Sequence, residues 1–450
     1  MSKKLAAAAV AVFSLGQMAS AAVDFNDLKA NNLKEVFSGP ETSVPVPSAS
    51  DVRTEPVKEW TVMVYINGKN DLESSGVKDA NEMEMVGSSD KVNIVLELGR
   101  IANYDNSDGN WTGVRRYLIQ KDTDTSVMNS PVVEDLGKSD MGDYRNIMAF
   151  GNWAKAKYPA KKYMFIIWNH GSGWIDKSLS PKGISYDEES GNHLTTPQMA
   201  QVLKGIGGVD IYGSDACLMQ MAEVAAEIKD HASYIAGSEE TMPADGYTYN
   251  TLLAPLVGDP AMTPENLGRL VVDSVTEYYL SINKGSTQSL LRSAAIPGFM
   301  AAADGFAAAL IAADERALAD RSGKTAQSFA YPVNRDMYHF VRLVTVGTKN
   351  ADVKAKGEAL MQYMKETLIV YNRTANAIGF GEGWDAANYD DAYGLAVYIP
   401  GAAASSGYAD LVWSKQGLWD ELIAWMAKPM PVQQTPAIVI PGLLESMGLQ

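Results

Sequence analysis

Tyr163-Met164-Phe165-Ile166-Ile167-Trp168-Asn169-His170-Gly171-Ser172-Gly173, residues 163–173, is an apolar run that ends in a histidine flanked by small residues. A near-continuous stretch of aromatic and aliphatic side chains is the pattern of a strand covered on both faces. A second run, Val209-Asp210-Ile211-Tyr212, leads through Gly213-Ser214-Asp215-Ala216 to Cys217, the only cysteine in 450 residues and 47 positions after His170. Similar runs occupy 60–66, 92–98 and 234–236, with helical stretches between them at 145–157 and 196–204. Thr195 or Thr196 serves as N-cap of the latter, with Pro197 in its first turn. This alternation predicts an α/β fold, a mostly parallel sheet with helices on both faces. Such sheets bind ligands beyond the carboxyl ends of their strands, where His170 and Cys217 both fall. A thiol and an imidazole at one sheet edge are the minimum set for nucleophilic attack on an amide carbonyl.

The ends of the chain read differently. Lys3 and Lys4, the apolar residues 5–16 and Ala19-Ser20-Ala21 have the layout of an export signal, so residues 1–21 are expected to be removed. No other stretch reaches eighteen apolar residues, and no membrane attachment is expected once the signal is gone. Residues 22–57, broken by Pro40, Pro45, Pro47 and Pro56, read as a linker or a short pro-segment. Residues 428–450 read as a loosely held, proline-spaced tail. The net charge is −16, and loss of Lys3 and Lys4 takes it to −18, which argues against a nucleic-acid partner.

After about residue 255 the pattern is mainly helical, at 266–281, 351–371 and 413–426. A late strand at 394–399, closed by Pro400-Gly401, is expected to complete the same sheet. One large unit over 58–427 with helical C-terminal additions follows. His170, His193, His231 and His339 are scattered with no i, i+4 pair, so the sequence calls for no metal or other cofactor. No pattern in it specifies an oligomeric state.

A lone cysteine in an exported chain is a reactive thiol, an intermolecular cross-link or a small buried hydrophobe. The context of Cys217 favours the first. Residues 218–229 carry Leu218, Met221, Ala222, Ala225 and Ile228 at helical spacing. The thiol is therefore expected at a strand-to-helix turn, where free N–H groups lower its pKa and contribute to an oxyanion hole. Gly171 and Gly173 leave room for a substrate backbone beside His170, and the Gly171 N–H is a second candidate donor.

These segments resemble the clostripain-like cysteine peptidases of the caspase–gingipain clan. The resemblance is carried by Thr61-Val62-Met63-Val64-Tyr65-Ile66 with Asn70-Asp71-Leu72-Glu73, and by Ile167 to Trp174 around His170. Asp215-Ala216-Cys217-Leu218-Met219, Gly237-Ser238-Glu239-Glu240 and Gly394-Leu395-Ala396-Val397-Tyr398 complete it, over about 58–400. It implies a caspase-like α/β/α sandwich and a Cys217–His170 dyad acting on polypeptides, with oxyanion donors at Gly171 and Cys217. No third member is required, and the sequence shows no obvious orienting carboxylate. Cleavage after Arg or Lys is implied, with Asp215 and Asp245 as carboxylates of the side-chain pocket. The alternative local roles are a helix cap for Asp215 and an Asp-Gly turn for Asp245. Tyr247 stands where the family more often has tryptophan. Some relatives are cut between the His and Cys segments, which makes Lys182 the self-processing candidate, with Lys177 nearby. Some also need calcium; Asp385, Asp390 and Asp391 offer oxygens without the spacing of a defined calcium loop. Two rival readings are a transpeptidase using the same acyl-enzyme and a catalytically retired binding or adhesion protein.

Overall fold

The computed structural model describes residues 57–174, 183–379 and 386–429. The export signal, the lead-in before 57, Lys177, Lys182, Asp385 and the tail from 430 lie outside the described residues.

Nine strands form one sheet: β1 (Lys58–Gly68), β2 (Val92–Arg100), β3 (Gly113–Leu118), β4 (Val132–Gly137), β5 (Ala160–Trp168), β6 (Val209–Asp215), β7 (Ala232–Gly237), β8 (Ser286–Arg292) and β9 (Ile369–Ala375). Their spatial order is β9-β8-β7-β6-β5-β1-β2-β3-β4. The five central strands, β7 to β2 in that order, run parallel. Antiparallel pairs close the sheet on both sides.

Side chains alternate between two cores. Val62, Val64 and Ile66 of β1 pack under α1 (Glu73–Glu84) and two later helices, while Met63 and Tyr65 face the opposite layer. That opposite layer includes α2 (Tyr144–Lys157), α3 (Thr196–Gly205) and α4 (Ala222–Ile228). The two later helices on the first face are α5 (Tyr249–Gly258) and α6 (Pro264–Ser281), and α7 (Ile296–Ala313) joins the opposite face. The helical run 293–313 is long and apolar enough to cross a bilayer, yet half of it is buried here, through Phe299, Phe306 and Leu310. The architecture is the expected α/β/α sandwich.

Three local expectations are corrected. The helix expected over 351–371 stops at Tyr363, and after one wide turn Ile369-Val370-Tyr371 begin edge strand β9. Their branched and aromatic side chains suit a strand better than a helix. The late strand is only Ala396–Tyr398 and pairs with Asn334–Asp336 in a separate two-stranded sheet. The helix expected over 413–426 is two, Val412–Gln416 and Trp419–Met426, interrupted at Gly417.

Candidate active site

Strands β5 and β6 are neighbours, with Trp168 in register with Asp215. His170 and Cys217 therefore each lie two residues past a shared strand end. Asn169 fixes the first of these turns. Its N–H donates to the Asp215 carbonyl (3.2 Å), its Nδ2 to the Asn67 carbonyl (2.5 Å), and its Oδ1 accepts from the Tyr186 N–H (2.8 Å). His170 and Cys217 line one cavity of about 270 Å³, together with Trp168, Asp215, Met242 and Gly246.

The turn after Cys217 differs from the expected helix start. Leu218 takes a left-handed φ of 63°, which a branched side chain adopts at a cost. The N–H groups of Leu218 and Gln220 donate to the Glu240 and Ser238 carbonyls, and α4 begins only at Ala222 with Met221 as its cap. The amides of residues 218 and 220 thus bind the neighbouring loop. Burial pushes the Cys217 thiol up, opposed by the Met242 and Gly171 N–H groups and reinforced by Glu240 and Asp215. The Met242 N–H lies 3.3 Å from Sγ. Gly171 has no room for a side chain: a Cβ there would meet the Cys217 carbonyl oxygen at 2.3 Å.

The sequence reading missed Asp71. Its Oδ1 lies 2.7 Å from His170 Nε2. Asp71 stands in the loop after β1, where Asn67 Oδ1 accepts from the Lys69 N–H and Asn70 Oδ1 from the Leu72 N–H. The only sequence signal was its place in Asn70-Asp71-Leu72-Glu73. A carboxylate therefore stands within hydrogen-bond distance of the imidazole, where the sequence showed no obvious one.

Asp215 is 3 % exposed, and both its oxygens face the Tyr247 N–H at 3.1 Å while Oδ2 also accepts from the Tyr249 hydroxyl (3.0 Å). Burial pushes its pKa up to about 7, and the nearby Glu82 adds to the shift. Among the described residues, no cation is among the groups acting on it. The close turn below it needs Gly246, whose Cβ would come within 2.9 Å of Oδ1 at a φ of 56°. Behind the cavity Asp79 is wholly buried: one oxygen accepts from Trp168 Nε1 (2.7 Å) and the other has no hydrogen-bond partner among the described residues. Burial, then the Asp215 charge, hold its pKa well above the ordinary range. Asp245 is not brought onto the cavity wall. It pairs with Lys78 at 2.9 Å; partial burial pushes its pKa up, but Lys78, with Tyr278 and Lys284, brings it below the ordinary value. Tyr247 is buried behind β6, donating to the Ser214 carbonyl (3.1 Å) and accepting from Gln288 (2.8 Å).

Among the described residues no group of three or more His, Cys, Asp or Glu is placed to hold a metal ion. Asp391 pairs with Arg342 (2.7 Å), and Asp390 accepts from Asn376 (2.8 Å).

A family model described as the clostripain family, peptidase C11, matches residues 64–424. Clostripain of Hathewaya histolytica is 27% identical over 256 residues, half of this chain. The match spans 45% of that curated relative's length. Among solved structures, a secreted C11 cysteine protease from Bacteroides thetaiotaomicron bound to an irreversible peptide inhibitor superposes with a TM-score of 0.62 at 20% identity, covering 81% of this chain and 99% of its own. An inactive zymogen C11 protease from Parabacteroides distasonis gives 0.59 at 18% identity, covering 80% and 98%. At these identities the two structures establish the fold.

Proposed function

Since the chain belongs to the clostripain family, we propose that it is an exported cysteine endopeptidase cleaving polypeptides after Arg or Lys. The observation that carries the reading is the buried Asp215 carboxylate, without a cationic partner among the described residues, in the cavity that His170 and Cys217 also line. A guanidinium or ammonium group is the counter-ion that such a carboxylate lacks.

In the proposed reaction, Cys217 Sγ attacks the scissile carbonyl carbon as its proton passes to His170. The Gly171 and Cys217 amides receive the developing oxyanion. Collapse of the tetrahedral adduct breaks the C–N bond, and His170 hands the proton to the leaving amine. Water, deprotonated by His170, then attacks the thioester, releasing the carboxylic acid and restoring the thiol. Asp71 holds Nε2, which leaves Nδ1 as the nitrogen that exchanges the proton. The raised thiol supports proton transfer during attack over a standing thiolate. Asp215 pairs with the substrate cation, and Asp245 acts from outside the cavity wall through Lys78. Cleavage after Lys182 activates the chain, and the N-terminal segment directs its export.

The test is hydrolysis of fluorogenic peptides with Arg, Lys, norleucine or Asp before the reporter, with calcium or a chelator present, using Cys217→Ala as control. Turnover after Arg or Lys, lost in the variant, is expected. No turnover in any arm leaves the retired-scaffold reading, and aminolysis products in excess of acid favour the transpeptidase. N-terminal sequencing of both proteins tests self-processing, since an identical uncut chain in each rules it out.

A further inference from the structure

The largest cavity among those described, about 670 Å³, lies at the sheet edge opposite Cys217. It opens between the first residues of β6 and β7 and the last of β8, against the start of the helical run 293–313. Three features of it favour an anion. Lys155, Lys229 and Arg292 contribute to its wall with His231, against the carboxylates of Asp210 and Asp230. This is a cation-rich wall in a chain of net charge −16. The start of the helical run faces the cavity through Ser293 and Ala294, and the first N–H groups of a helix have no intrahelical acceptor. Finally, Ser293 is 3 % exposed and its Oγ has no hydrogen-bond partner among the described residues. A buried hydroxyl without a partner costs free energy that an incoming acceptor removes.

The neighbouring charges are held in place. Arg292 donates to Glu265 (3.0 Å) and to the Thr367 carbonyl (3.2 Å), while Lys229 sits 3.3 Å from Asp230. Lys155 donates to the Ile206 carbonyl (2.9 Å) and that of Gly208, and Asp210 accepts from the Tyr163 N–H (2.7 Å). These pairs fix the cations at the wall.

We propose that this cavity is a binding site for a small multivalent oxyanion, seated on Ser293 and the start of the helical run and flanked by Lys229 and Arg292. Strand β6 joins it to the candidate active site. Its seven residues run from Val209 at the cavity to Asp215, a span of about 20 Å. The site is therefore separate from the peptide-binding cavity, and its ligand does not compete with substrate.

Calorimetric titration of the full chain with pyrophosphate, and separately with citrate, at constant ionic strength tests this. Saturable binding of one anion per chain is expected, and the tighter arm shows whether phosphate or carboxylate oxygens are preferred. Ser293→Ala should weaken it about tenfold, the scale of one hydrogen bond to a charged group. That change removes an unpaired buried hydroxyl, so the fold tolerates it. Lys229→Gln should weaken binding severalfold and flatten its salt dependence. No saturable binding of either anion, or binding that neither variant alters, overturns the proposal. Neither result bears on peptide hydrolysis.

Discussion

Asp215→Asn separates what the buried carboxylate does for the fold from what it does for a substrate. The native carboxyl keeps its proton to about pH 7, whereas in the unfolded chain it titrates near its ordinary value of 3.8. Between those values the native state binds more protons, so stability falls as pH rises through the window and is flat above it. Three pH units correspond to a loss on the order of 4 kcal/mol by pH 8. Asparagine removes that loss but sets an amide donor among the Tyr247 N–H and the Tyr249 hydroxyl, at a cost of about 1–3 kcal/mol. The variant should therefore melt a few degrees above wild type at pH 8 and below it at pH 4, where little of that loss has yet occurred. Against peptides with Arg or Lys before the scissile bond, loss of a desolvated charge partner removes about 2–5 kcal/mol. In kcat/KM that is about 30- to 5,000-fold, with little change for norleucine. Melting curves at the two pH values and kcat/KM on the three peptides read both effects. If Arg and Lys kcat/KM stay within threefold of wild type, the pocket assignment is wrong. If the melting order does not cross between pH 4 and pH 8, the burial argument is wrong.

Asp71→Asn should lower kcat about ten- to a hundredfold with KM nearly unchanged, because the amide no longer matches His170 Nε2 when the ring must carry charge; an equal rise in KM would assign Asp71 to substrate binding instead. Gly171→Ala should leave an expressed, folded protein with activity down more than about a hundredfold, since its Cβ would strike the Cys217 carbonyl and displace a proposed oxyanion donor. Circular dichroism and turnover read it together, and activity above a tenth of wild type would remove Gly171 from the site. Because burial raises the thiol from its reference value of 9.0, alkylation of Cys217 by iodoacetamide in the free protein should keep accelerating above pH 9. A plateau reached at neutral pH would instead restore the pre-formed thiolate that the helix expectation implied.

The parts legible in the sequence are those where one physical demand sets the residue type. β1, β5 and β6 are covered on both faces, so their apolar runs read directly as central strands, and the two residues past β5 and β6 read as site candidates. β8 escaped because its first four buried side chains, Ser286 to Ser289, are polar. Thr287 Oγ1 accepts from the Glu239 and Glu240 N–H groups, Gln288 reaches Tyr247, and Ser289 donates to the Gly394 carbonyl. Those partners are distant in sequence, so nothing local marks the segment as a strand. β9 escaped for the opposite reason: its apolar residues continue the helical period of 351–363 until strand pairing with β8 overrides it. The turn at Leu218 was misread in the same way, since Leu218, Met221, Ala222 and Ala225 keep helical spacing while the loop 238–240 captures the amides a helix would have used.

The same distinction explains the candidate site. Cys217, His170 and Asp215 lie along strands or two residues beyond them, so strand register alone brings them together. Asp71 and Asp245 lie on loops, and their roles depend on which partner the loop meets. Asp71 meets His170, whereas Asp245 is taken by Lys78 of α1. Lys78→Ala tests this dependence without touching the cavity wall. Freed of its cation, Asp245 should lose the main influence holding its pKa down, so its titration should move up. The exposed pair contributes at most about 1 kcal/mol to stability, so the variant should fold. A carboxylate released toward the cavity should then improve kcat/KM on Arg and Lys peptides, while one that acts only through Lys78 should lower it. No change for either peptide would remove Asp245 from substrate recognition and leave Asp215 as the only one of the two carboxylates acting there.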